Sequence, residues 1–71
     1  MSCSLVWVRK VDGNINGELE RILKSKFQAP FVLDASNVTY LEGLRDAGIK
    51  GVDALIEAIE KYDEITLELR C

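Results

Sequence analysis

Histidine is absent from the 71 residues, proline occurs once, cysteine twice, and the longest apolar run is the four-residue Leu5-Val6-Trp7-Val8. Each scarcity excludes something. Without histidine the side chain best suited to proton transfer near neutral pH is missing, and so is the commonest nitrogen ligand for transition metals. The two cysteines, Cys3 and Cys71, stand 68 positions apart and show no Cys-x-x-Cys spacing, so neither a metal site nor a cofactor is expected. They read as two solvent-facing thiols in a reducing compartment, although neighbouring first and last strands would let them meet. Four apolar residues followed by Arg9 and Lys10 are too few for a signal-peptide core or a membrane span, so a cytoplasmic protein with no membrane partner is expected.

Positive charge is also in short supply. Nine Lys and Arg against twelve Asp and Glu give a net charge of −3, and the nine are scattered, Lys24 and Lys26 being the nearest approach to a cluster on the first helix. Nucleic-acid binding normally needs a basic stripe that displaces counterions, so no nucleic-acid partner is expected. Neither Gly-x-Gly-x-x-Gly nor Gly-x-x-x-x-Gly-Lys occurs, and Gly43, Gly48 and Gly51 fall after a helix start, where phosphate-cradling loops do not belong.

What is present suits a small folded domain. An apolar fraction of 48% and a charged fraction of 30% lie in the ordinary globular range. Residues 1–71 suffice for one domain and one core. A chain this size without a metal or other staple often gains stability by pairing with a copy of itself, which makes a homodimer a natural possibility.

Periodicity orders the chain. Residues 5–11 are rich in β-branched and aromatic side chains and stop at Asp12-Gly13-Asn14, which predicts a strand and a turn. Ile15, Leu19, Ile22, Leu23 and Phe27 then recur at helical spacing, with Asn14 or Asn16 as the N-cap and Pro30 preventing continuation. Phe31-Val32-Leu33 reads as a strand buried on both faces in the middle of the sheet. Thr39 and Glu42 fit a capping box for a short helix ended by Gly48, and Gly51 opens a longer helix striped by Val52, Leu55, Ile56 and Ile59. From Glu64 to Arg70, apolar and polar residues alternate strictly, predicting a strand with one wet face. The expected fold is α/β: a small two-layer domain with a three-stranded, mostly parallel sheet in the order β-α-β-α-α-β and helices chiefly on one face.

Chemistry is sparse. Asp34 ends the strand read as central, where ligands gather in parallel sheets. The plainer reading is that Asp34, Ser36 and Asn37 satisfy backbone amides of the loop. Residues 44–59 share features with a helix-hairpin-helix DNA motif, but the second glycine is missing and Lys50 is the only cation of the loop. The aromatics fall on or beside apolar stripes. Trp7 and Tyr40 carry polar atoms that prefer an edge position.

The segment FVLDASNVTYLEGL at 31–44, with the strand and Gly13 turn before it and the helix around Glu18-Leu19, resembles the STAS domain, the fold of anti-sigma factor antagonists. That resemblance implies a non-catalytic regulatory module that docks on another protein after its central strand. The implied contact residues are Asp34, Ser36, Asn37, Tyr40, Glu42, Gly43 and Leu44. The family's Asp-Ser-x-Gly-Leu becomes Glu42-Gly43-Leu44 here, so Gly43 stands where the phosphorylatable serine would be. The expected function is therefore a protein-interaction module rather than an enzyme. A self-associating structural or accessory protein, of the kind compact mobile-element genomes encode, is the alternative, and a helix-hairpin-helix-like binder the third.

Overall fold

A computed structural model describes residues 3–8 and 13–71. Strand β1 (Ser4–Trp7) and the two-residue β2 (Gly13–Asn14) form a hairpin, followed by helix α1 (Gly17–Lys26) and strand β3 (Phe31–Asp34). A 3-10 turn, Ala35–Asn37, runs into helix α2 (Val38–Asp46); helix α3 (Val52–Tyr62) and strand β4 (Glu64–Arg70) complete the fold. The predicted extension of the first strand through residues 9–11, and Asp12 of the predicted turn, lie outside the described residues.

The sheet corrects the expected topology. It is four-stranded rather than three-stranded, in the order β2-β1-β4-β3, and every neighbouring pair is antiparallel instead of mostly parallel. β1 and β3 do run in the same direction on either side of α1, as the strand-helix-strand pattern demands. The last strand inserts between them, pairing Leu5 with Leu69 on one side and Leu33 with Ile65 on the other. Nothing in the periodicity of a single strand encodes which two neighbours it will take, and a split strand-helix-strand unit reads the same as a direct one.

The places of two strands are thereby exchanged. β3, expected at the centre and buried on both faces, is an edge strand, and Val32 is 48% exposed. β4 is central, and its alternation holds as far as Glu68: Ile65 and Leu67 are buried while Glu64, Thr66 and Glu68 are not, but Leu69, on the same phase as Leu67, is 48% exposed. With β1 and β3 in register, Leu5, Leu33, Ile65 and Leu67 point to one side, where they join Leu19, Leu23, Leu41, Val52, Leu55, Ile56 and Ile59 of the helices in one core. The helices cover that face.

Helix ends follow local chemistry. Asn16 caps α1, its side-chain oxygen accepting from the Glu18 amide at 3.0 Å. The expected Thr39 and Glu42 capping box is displaced to Asp34 and Asn37: the Asp34 side chain accepts from the Ser36 amide at 2.9 Å, and the Asn37 side chain accepts from the Asp34 amide at 3.0 Å. Thr39 is already inside the helix, because the Asx pattern at 34–37 starts it a turn earlier. α2 ends in a Schellman motif, with Gly48 at φ 89° donating to the Arg45 carbonyl at 2.9 Å and Ile49 donating to that of Leu44 at 3.1 Å.

The cysteines also depart from expectation. The antiparallel pairing of β1 with β4 matches Ser4 to Arg70, so Cys3 and Cys71 sit opposite each other at one end of the sheet and are joined as a disulfide, not left as thiols.

Candidate protein interface

The seven residues expected to contact a partner separate into three groups. Asp34, Ser36 and Asn37 are brought together, but chiefly to bond one another: Ser36 donates both its amide and its hydroxyl to the Asp34 carboxylate. Those two bonds, the hydroxyl first, hold the Asp34 carboxyl below its ordinary value of 3.8. Glu42 and Gly43 lie on the exposed side of α2, and Glu42 faces Arg45 at 3.9 Å. Leu44 and Tyr40 are half-buried and packed against the core. Tyr40 meets Phe27 edge to face at 6.1 Å and carries Lys26 over its ring at 5.2 Å, beside a shallow groove completed by Arg21, Ile22 and Ser25.

The sheet surface opposite the helices is the feature that sequence reading missed. Alternation turns Ser4, Val6 and Val8 of β1 and its continuation, Glu64, Thr66, Glu68 and Arg70 of β4, and Val32 and Asp34 of β3 toward that side. Val8 donates its amide to the Thr66 carbonyl at 3.0 Å, and Val32 is registered with Thr66, so Val8, Thr66 and Val32 form one row across three strands. Val6 lies in the next row, opposite Glu68. Among the described residues no helix covers this row. The signal was in the sequence, since Val6, Val8, Val32 and Thr66 are all small β-branched side chains on the phase opposite to the leucines. It becomes readable only once the register is known.

Both β1 beyond its short partner and the β3 edge are blunted against strand addition. β1 outlasts its two-residue partner, and α1 covers the remainder: Glu20 accepts from the Leu5 amide at 2.6 Å, and Lys24 donates to the Cys3 carbonyl at 2.9 Å. On the other edge, Thr66 turns its carbonyl toward β1, so Val32 and Asp34 direct their backbone groups outward. The Asp34 amide is taken by Asn37, and Pro30, on the same phase, has no amide to offer. The outward donors of that edge reduce to Val32, a blunting that natural sheets use against unwanted pairing.

One further polar atom stands out. The Trp7 indole nitrogen is buried with no hydrogen-bond partner among the described residues, rather than reaching an edge as expected, and Trp7 lines a cavity of about 70 Å³ with Ile15, Asn16, Gly51, Ala54 and Leu55. No cluster of three or more Cys, Asp or Glu able to hold a metal ion occurs among the described residues, and none of their helices is long and apolar enough to cross a membrane. No family model matches the sequence, and no curated protein or solved structure matches the chain.

Proposed function

We propose that this chain is a non-catalytic protein-interaction module whose docking surface is the open face of the sheet. One observation carries the reading: a three-strand row of small β-branched side chains, half-buried at Val8 and Thr66 and exposed at Val32, lies on the face away from the helices while side chains and a proline blunt the edges of the same sheet. The regulatory part of the proposal, a role like that of an anti-sigma factor antagonist, rests on the likeness of residues 31–44 to the STAS domain. Asp34 belongs both to that segment and to the end of the open face; the remaining six residues lie in the cap of α2 or along it.

The two surfaces separate experimentally. Val32→Lys places a charge at the edge-strand end of the row without touching the core, and Glu42→Arg alters the exposed side of α2. With unchanged circular dichroism spectra for both, capture of a protein partner from the native host is expected to be lost in Val32→Lys and kept in Glu42→Arg. The reverse result returns the docking surface to α2. A cytoplasmic site for this activity is part of the proposal and makes its own demand: the bond between Cys3 and Cys71 would be reduced there, so the domain must hold its fold without it.

A further inference from the structure

We propose that the open face takes a second copy of this chain, stacked face to face with the two β4 strands antiparallel; this rests on the reading of that face as the docking surface. The arrangement of charge selects the partner and the direction. Glu64 and Asp34 are registered side by side at one end of the face, and Arg70 lies at the other, with the row of Val8, Thr66 and Val32 and neighbouring Val6 between them. A two-fold axis lying between the sheets, perpendicular to the strands at the level of Leu67, sets each Arg70 over the partner's Glu64 and its neighbouring Asp34. The alternative axis, parallel to the strands, would stack Arg70 on Arg70 and Glu64 on Glu64, and like charges held together oppose that arrangement. Glu68, 2.9 Å from Arg70 within the same copy, shares that guanidinium with the partner's Glu64 and Asp34. Strand-edge pairing, the other common route to a symmetric dimer, is opposed by Pro30 and Asn37 along β3 and by Glu20 and Lys24 along β1.

Size sets the strength. Strands of four, seven and four residues in β1, β4 and β3, about 4.8 Å apart and rising about 3.4 Å per residue, present roughly 245 Å² of plane. Specific stable interfaces bury about 800 Å² per partner. The dimer is accordingly weak, and its population depends on concentration.

Charge exchange tests the register, read by sedimentation equilibrium of the whole chain. Wild type is expected to pass from monomer to dimer with concentration. Arg70→Glu sets a third carboxylate over Glu64 and Asp34 at each end of the stacked face, and Glu64→Lys sets a second cation against Arg70 there, beside Asp34. Each variant alone is therefore expected to associate at least about tenfold more weakly. Mixed in equal amounts, the two variants regain opposite charges at both ends and are expected to recover association. Because Glu64 has contacts of its own, both variants are checked for an unchanged spectrum and melting temperature. A wild type that stays monomeric at about 1 mM overturns the self-association; if Val32→Lys still abolishes partner capture, the docking face survives that failure. A dimer indifferent to Val32→Lys and to both charge changes overturns the docking face as well.

Discussion

The two faces of the sheet are built from different apolar side chains, not merely from apolar and polar ones. Toward the helices point Leu5, Leu33, Ile65 and Leu67, all buried, with Trp7 and Phe31 packed beside them. Toward the open side point Val6, Val8, Val32 and Thr66, which are short, β-branched and stiff, interspersed with serine and charge. Long side chains interdigitate between helices and fill a core; short branched ones leave a flat, low-entropy surface that loses little freedom when covered. The face that holds the fold and the face offered to a partner are thus distinguishable by side-chain length along one strand.

The largest expected effect concerns what ties both faces together at one end of the sheet. The bond from Cys3 to Cys71 closes a loop with a sequence separation of 68, and chain-entropy arguments assign such a cross-link about 4 kcal/mol through the unfolded state. Cys3→Ser, or reduction, is expected to lower the thermal midpoint markedly without altering the secondary structure of the native state. A midpoint that does not move would show that the strand pairing alone fixes the end of the sheet.

Next comes a pair of neighbours on β4 that face opposite ways. Leu67 is fully buried, and Leu67→Ala is expected to destabilise the domain by about 3 kcal/mol, well within the range for cavity-forming leucine deletions. Thr66→Ala, one residue away, trims a half-buried side chain on the open face and is expected to cost about 1 kcal/mol or less. Urea denaturation of both variants decides it. Similar losses at 66 and 67 would mean that the open face is structural, and the contrast between the faces would fail.

Much of this contrast is legible in the sequence. The alternation from Glu64 to Arg70, the stripe of α3, the Asn16 cap and the Gly48 stop are all local patterns, and local patterns fix local structure. Strand order is not local. The run Phe31-Val32-Leu33 suggests a doubly buried strand because three apolar residues in succession satisfy either a central position or an edge with an open apolar face, and only the insertion of β4 decides between them. The same insertion explains why the cysteines read as separate thiols yet are joined in the fold, and why the open row escapes notice. Its three members come from three strands. The α2 start is half-legible: Asp34, Ser36 and Asn37 carry capping chemistry, but so do Thr39 and Glu42, and the upstream pattern wins because the chain leaves β3 at Asp34 already turned toward helix.

That cap provides the smallest effect and the finest probe of how the open face ends. Ser36 holds the Asp34 carboxyl below 3.8 in the folded state through its hydroxyl and amide, and an unfolded chain lacks those bonds. A carboxyl depressed by folding binds its proton less readily in the native state, so it adds stability above the unfolded value, and this contribution is lost as pH falls through the folded value. Asp34→Asn retains an oxygen able to cap Ser36 but cannot ionise. Wild type is therefore expected to be the more stable at neutral pH, with its advantage shrinking once the pH drops below about 4. Chemical denaturation of both proteins at several pH values measures that difference. A constant gap would mean that the carboxylate charge is not what the cap uses, leaving the acidic end of the face free to be neutralised by a partner without cost to α2.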